Sequence, residues 1–154
     1  LKKYGEQHQR RQETAVWLTK ELAGLDQIQL LSDDPEIDTH SWHIFIFRYL
    51  DRQGVSKTRF IEALRAEGIP CSGGYSIPTY QQPLFREKAF GPFSEILRDK
   101  ADYRDVHLPN TEQACENEAV WLGQNLLLSD EQGRQDIVDA ISKIVENASQ
   151  LADK

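Results

Sequence analysis

The 154-residue sequence contains no methionine, not even an initiator, and only two cysteines, Cys71 and Cys115. Two thiols make no disulfide framework, so both are read as free in a reducing setting. Apolar runs such as Ile44 to Phe47 and Leu126 to Leu128 fall far short of the ~20 residues a spanning helix needs, so no membrane segment is expected. No charged-then-apolar leader opens the chain, which makes a cytoplasmic location the expectation. Basic residues are few and scattered, 18 against 25 acidic for a formal charge of -7, and nucleic acid is not an expected partner. A complete catalytic set is also missing. Asp38, His40 and His43 are close enough in sequence to share an ion, but a strand turns positions 40 and 43 to opposite faces, and nothing completes a ligand set. Cys71 lacks a histidine brought near it, and Gly73-Gly74 lacks the lysine and spacing of a phosphate loop. The chain therefore reads as one part of a larger active unit.

What is present is the composition of a soluble globular protein, 39% hydrophobic and 28% charged, in a length that suits one core. Residues 68–85, GIPCSGGYSIPTYQQPLF, form a long irregular stretch crowded with glycine, proline and tyrosine. Connections usually run to about six residues, and a longer ordered one commonly shapes a binding surface. Tyr75 and Tyr80, held by Pro78 and Pro83, each offer an apolar ring and a hydroxyl suited to a polyhydroxylated ligand, or simply to packing within the loop. Arg48 closes an apolar strand and needs an anion, either a ligand or an internal carboxylate.

The pattern predicts an α+β fold: a small, mostly antiparallel sheet with helices packed on one face. Ala15, Leu18, Leu22 and Leu25 give a first helix its apolar face, whereas Lys2 to Glu13 has no apolar stripe and would suit a missing neighbour. Ile28 to Leu31, Ser41 to Tyr49, Ile69 to Cys71 and Ala119 to Leu122 read as strands. Ser56 caps a helix closed by Gly68, and Pro92 to Lys100 reads as a further helix. Another runs from a cap at Asn110 to about Asn117, and Ser129 with Gln132 forms a capping box before the apolar face Ile137, Ala140, Ile141, Ile144, Val145 and Ala148.

Several of these residues carry a family likeness. The run from His40 through Arg48, then Arg59 to Leu64, Glu67 to Pro70, Gly74 to Tyr80 and Pro83 to Phe85 resembles the C-terminal domain of the DegT/DnrJ/StrS family of pyridoxal-phosphate-dependent sugar aminotransferases. Cys115 to Leu122, Leu126 to Leu128 and the terminal helix around Ala140 to Ile144 resemble it as well. The resemblance implies a fold-type-I aminotransferase, usually a homodimer, in which an amino donor, glutamate or glutamine, loads the cofactor and a keto-sugar or keto-cyclitol takes the amino group. Pyridoxal 5'-phosphate and its Schiff-base lysine would belong mainly to an N-terminal domain outside this chain, since Lys57, Lys88, Lys100 and Lys143 lack the family's context. Residues 1–24 would be the connecting helix and 25–154 the small C-terminal domain, inactive alone. Nucleotide-sugar members commonly show His-Tyr-Pro-x-Pro-x-His at this loop. Here Gly74 and Tyr80 stand at the histidine positions and Ser76 at the first proline, which is more similar to the branch acting on inososes or aminohydroxybenzoate precursors. The resemblance makes Tyr75 and Tyr80 substrate contacts, with Arg48 and His43 behind them. A stand-alone ligand-binding regulatory module and a purely structural dimerisation domain are the other readings.

Overall fold

The computed structural model describes residues 2–32, 34–100 and 102–152. Helix α1 (Tyr4–Leu22) leads through strand β1 (Ile28–Leu30) to β2 (Ile44–Tyr49), helix α2 (Lys57–Ala66) and strand β3 (Cys71–Ser72). Three helical pieces of four or five residues follow, α3 (Pro83–Arg86), α4 (Ser94–Leu97) and α5 (Pro109–Gln113). Strand β4 (Ala119–Gly123) and helices α6 (Glu131–Glu146) and α7 (Ala148–Leu151) complete the order. The strands form one antiparallel sheet in the order β1-β2-β4-β3, with Ile46 opposite Trp121 and Cys71 opposite Leu122.

Alternation along the strands sets the layers. Phe45, Phe47 and Tyr49 of β2 and Val120 and Leu122 of β4 are buried, and they join Leu18 and Leu22 of α1, Phe60 and Leu64 of α2, and Ile137 and Ile141 of α6 in one core. The residues between them in β2 and β4 are only partly buried, so the helices cover one face of the sheet. This is the expected α+β layer. Stacking of Tyr49 on Phe60, at 4.2 Å between ring centroids, joins sheet to helix at its centre.

Local signals account for most boundaries. Ser56 Oγ accepts from the Arg59 amide at 3.3 Å, and Gly68 takes φ 90° just past the C-terminus of α2, as a left-handed cap requires. Elsewhere the boundaries differ from expectation. Trp42 adopts φ 49°, so the extended backbone expected from Ser41 begins only at Ile44. Asp130, not Ser129, caps α6: its carboxylate accepts from the Gly133 amide at 2.9 Å, while Ser129 Oγ donates to the Leu126 carbonyl. The helix expected over Pro92 to Lys100 shrinks to a 3-10 turn, Gly91–Phe93, and the single turn of α4, neither of which has a buried residue to hold it. Pro109 takes the first position of α5, so Leu108 and not Asn110 precedes it, and a π-helical turn, Ala114–Glu118, carries the chain into β4.

The polar first half of α1 is not bare. His8 Nε2 lies 3.0 Å from the His40 carbonyl, Gln12 Oε1 accepts from the Trp42 indole N–H, and Arg11 is buried beneath the Tyr4 ring. Residues 40–42 thus meet His8, Arg11 and Gln12, while residues 2–6, 9, 10 and 13 stay exposed. Contacts divide the chain into two units: one takes in residues up to 74 and from 118 onward, including the whole core, and the other is Tyr75–Asn117.

Candidate functional site

The face of the sheet opposite the helices carries Ile44, Ile46 and Arg48 from β2 and Ala119 and Trp121 from β4. Arg48 does not stand open as an anion anchor. Its Nε and Nη2 both donate to Glu118 Oε2, so the internal carboxylate is the partner found. Glu118 comes off the π-helical turn beside β4, and its side chain is 11% exposed. His43 is exposed, immediately before β2. Five residues of extended chain, about 16 Å, separate it from Arg48, so the two do not act at one point.

At the start of the loop, Gly74 has φ 67° and lies under the Trp121 indole, where an added Cβ would meet Cε2 at 2.2 Å. Only glycine meets both demands, the left-handed backbone and the absence of a side chain. Because Ser72 pairs with Trp121, the segment that follows leaves the sheet and returns to it on neighbouring antiparallel strands.

The 75–117 unit has its own ties. Phe85 packs edge-on against Phe90 and Tyr103 at centroid distances of 5.9 and 5.4 Å, and Lys88 joins Asp102 at 3.1 Å. Arg104 first, then Lys88, hold the Asp102 carboxyl well below the usual carboxylate range. Tyr75 is 67% exposed, whereas Tyr80 is half-buried with its hydroxyl engaged. The Tyr80 O–H donates to Glu112 Oε1, and the Leu108 amide donates to both, at 3.2 Å to the phenol and 3.3 Å to the carboxylate. His107 Nδ1 lies 3.8 Å from the same carboxylate oxygen. Burial, and then the Glu112 contact, push the Tyr80 phenol up, while the Tyr80 hydroxyl is the main influence holding Glu112 down. Sequence reasoning missed Glu112 because 32 residues separate it from Tyr80. The one signal was its place three residues after Pro109, where a carboxylate folds back to the start of a helix.

Cys71, Lys88 and Lys143 each have an internal partner. The Cys71 thiol donates to the Ile61 carbonyl at 3.8 Å and is pushed up by burial, against the opposing effect of Arg65, which is the wrong direction for a nucleophile. Lys88 and Lys143 are engaged by Asp102 and Glu67. A groove of about 1,010 Å³ runs between α1 and residues 30–46, lined by side chains including Gln12, Val16, Leu31, Ile37 and Trp42, and none of Tyr75, Tyr80, Arg48 or His43 lines it. Among the described residues no three acidic, cysteine or histidine side chains are placed to share a metal ion, and no helix is long and apolar enough to cross a membrane.

Residues 1–142 match the DegT/DnrJ/EryC1/StrS aminotransferase family. A curated relative from Streptoalloteichus tenebrarius, named for an L-glutamine:3-amino-2,3-dideoxy-scyllo-inosose aminotransferase activity, is 29% identical across 98% of this chain and 38% of its own length. The chain thus spans less than half of that relative. Among solved structures, a 3-amino-5-hydroxybenzoic acid synthase superposes with a TM-score of 0.69 at 23% identity, covering 94% of this chain and 36% of the other. An aminotransferase from Psychrobacter cryohalolentis gives a TM-score of 0.70 at 18% identity, covering 95% and 36%. At these identities the two structures establish the shared fold.

Proposed function

Because the chain belongs to the DegT/DnrJ/EryC1/StrS aminotransferase family, we propose that it is the C-terminal part of a pyridoxal-phosphate-dependent enzyme that moves an amino group from glutamate or glutamine to a keto-sugar or keto-cyclitol. The observation that carries this reading is the family match over 142 residues, joined to the share of about 38% of a relative's length. A stand-alone regulatory module leaves both unexplained. In this reading residues 1–24 connect to a cofactor-binding domain, residues 25–154 form the small domain, and the whole protein works as a cytoplasmic homodimer.

Pyridoxal phosphate, when bound, supplies the electron sink through which amino-group transfer runs. The residues present do not make its cradle: Lys88 and Lys143 are held by carboxylates, Gly74 sits under Trp121, and Gly73 lies against the Ile61 and Lys57 side chains rather than open to a phosphate. We therefore assign the coenzyme to residues outside this chain. What this chain supplies is the acceptor side, with Tyr75 presenting an exposed ring and Tyr80 a fixed hydroxyl. His43 and Arg48 are secondary contacts, and Arg48 acts while paired to Glu118.

Adding pyridoxal phosphate to the intact gene product tests the reading. Visible absorbance from the bound coenzyme that glutamine or glutamate discharges, followed by its recovery with a keto-cyclitol or keto-sugar, is the expected result. Tight stoichiometric uptake and amino exchange by the 154-residue piece alone would overturn the division of labour, and no coenzyme uptake by the intact protein would overturn the function.

A further inference from the structure

We propose that Glu112 is a specificity-determining residue that, with Tyr80, selects an acceptor through a hydroxyl or ammonium donor and excludes a phosphoryl group. This rests on the reading above that places Tyr80 on the substrate side. The geometry comes from the start of α5. Pro109 fixes the first helical residue, the Glu112 amide donates to the Leu108 carbonyl at 2.9 Å, and the Glu112 side chain turns back to the Leu108 amide. That fold-back places one carboxylate oxygen under the Tyr80 hydroxyl.

The proton and lone-pair count then decides what the pair offers. A phenol has one proton and two lone pairs. In Tyr80 the proton goes to Glu112, one lone pair takes the Leu108 N–H and the Gln81 side chain is a second donor to the phenol oxygen, so the open acceptor of the pair lies on Glu112. Glu112 uses Oε1 for all these contacts, including the one with His107, and its side chain is 25% exposed. Oε2 has no part in them. The unsatisfied position of the pair is therefore an acceptor only, and it is anionic at neutral pH because the Tyr80 hydroxyl holds Glu112 below the usual carboxylate range. A ring hydroxyl or ammonium meets that surface favourably, whereas a phosphate brings like charge and no donor.

A carboxylate that merely closes a helix turn would fold the loop without choosing among acceptors, and the two roles separate in a ratio. In the intact, coenzyme-loaded enzyme, kcat/KM is measured for a keto-cyclitol bearing an ammonium group, for its hydroxyl counterpart and for a nucleotide-diphosphate keto-sugar. The wild type is expected to favour the ammonium acceptor and to turn over the diphosphate poorly. Glu112→Gln keeps an acceptor for Leu108 and Tyr80 but removes the charge, and should cut the ammonium-to-hydroxyl ratio about tenfold, a change of ~1.4 kcal/mol. The wild-type ratio should also fall as salt is raised, a measurement independent of whether the variant folds, and in Glu112→Gln it should stay flat. Both acceptors declining equally in Glu112→Gln, a salt-independent wild-type ratio, or preference for the diphosphate would overturn the proposal. A wild type whose coenzyme no amino donor discharges would instead remove the aminotransferase reading, and this inference with it.

Discussion

At Gly74 two separate physical limits meet. The backbone sits at φ 67°, which costs any side-chain-bearing residue, and a Cβ there would lie 2.2 Å from Trp121 Cε2 and 2.5 Å from Nε1. The atoms struck belong to a rigid ring on a central strand, so relief requires moving the indole. Gly74→Ala should lower the unfolding free energy by about 2–4 kcal/mol, combining backbone strain with overpacking, read from urea denaturation followed by tryptophan fluorescence. An unchanged midpoint would show that Trp121 swings aside without cost. The same limit bears on the resemblance: a histidine at 74, as in the nucleotide-sugar pattern, cannot share this space with tryptophan at 121. Gly74→His should therefore be tolerated better together with Trp121→Ala than alone. The glycine is legible in the sequence as a turn residue, but its reason is not, because the ring above it lies 47 positions further along.

Between elements, the pairing of Arg48 with Glu118 ties the outer end of β2 to the turn that feeds β4. With side chains 34% and 11% exposed, neither partner is fully hydrated once the other is gone. Glu118→Ala is expected to cost about 1–3 kcal/mol by stranding the guanidinium, whereas Arg48→Met with Glu118→Leu, which removes both charges, should recover most of it. Equal losses in the single and double variants, measured by thermal unfolding, would mean the pair contributes shape rather than charge. The sequence made Arg48 conspicuous because it ends an apolar strand, yet could not name its partner, since a π-helical turn has no periodic signature. Period-two alternation located β2, and the 3.6-residue repeat located α6, because in each the buried face has a regular spacing. Where no buried face exists, as over Pro92 to Lys100, the pattern had nothing to report and the expected helix dissolves into turns. The cap of α6 moved by one residue because Ser129 and Asp130 are both able caps, and the carboxylate took the Gly133 amide.

Across the whole chain, the core belongs to one unit and the candidate substrate tyrosines to the other. The buried cluster draws on residues from Ala15 to Ile69 and from Val120 to Ala148, and on none from 75–117. The stretch 75–117 is also inserted between two hydrogen-bonded neighbours, since Ser72 faces Trp121 and Cys71 faces Leu122. Neighbouring strands lie about 4.8 Å apart, a gap that a two-residue turn closes, so stability should not depend on the insert. Replacing residues 75–117 by an Asn-Gly turn is thus expected to leave the sheet and its helices folded, with far-ultraviolet circular dichroism and a cooperative transition retained. The urea m-value should fall in proportion to the surface removed. On the function proposed above, which assigns the coenzyme to residues outside this chain, the same excision in the intact protein should abolish acceptor turnover while the coenzyme still binds. Loss of the cooperative transition would instead show that the insert is needed to complete the sheet unit, and would move Tyr75 and Tyr80 from recognition to folding.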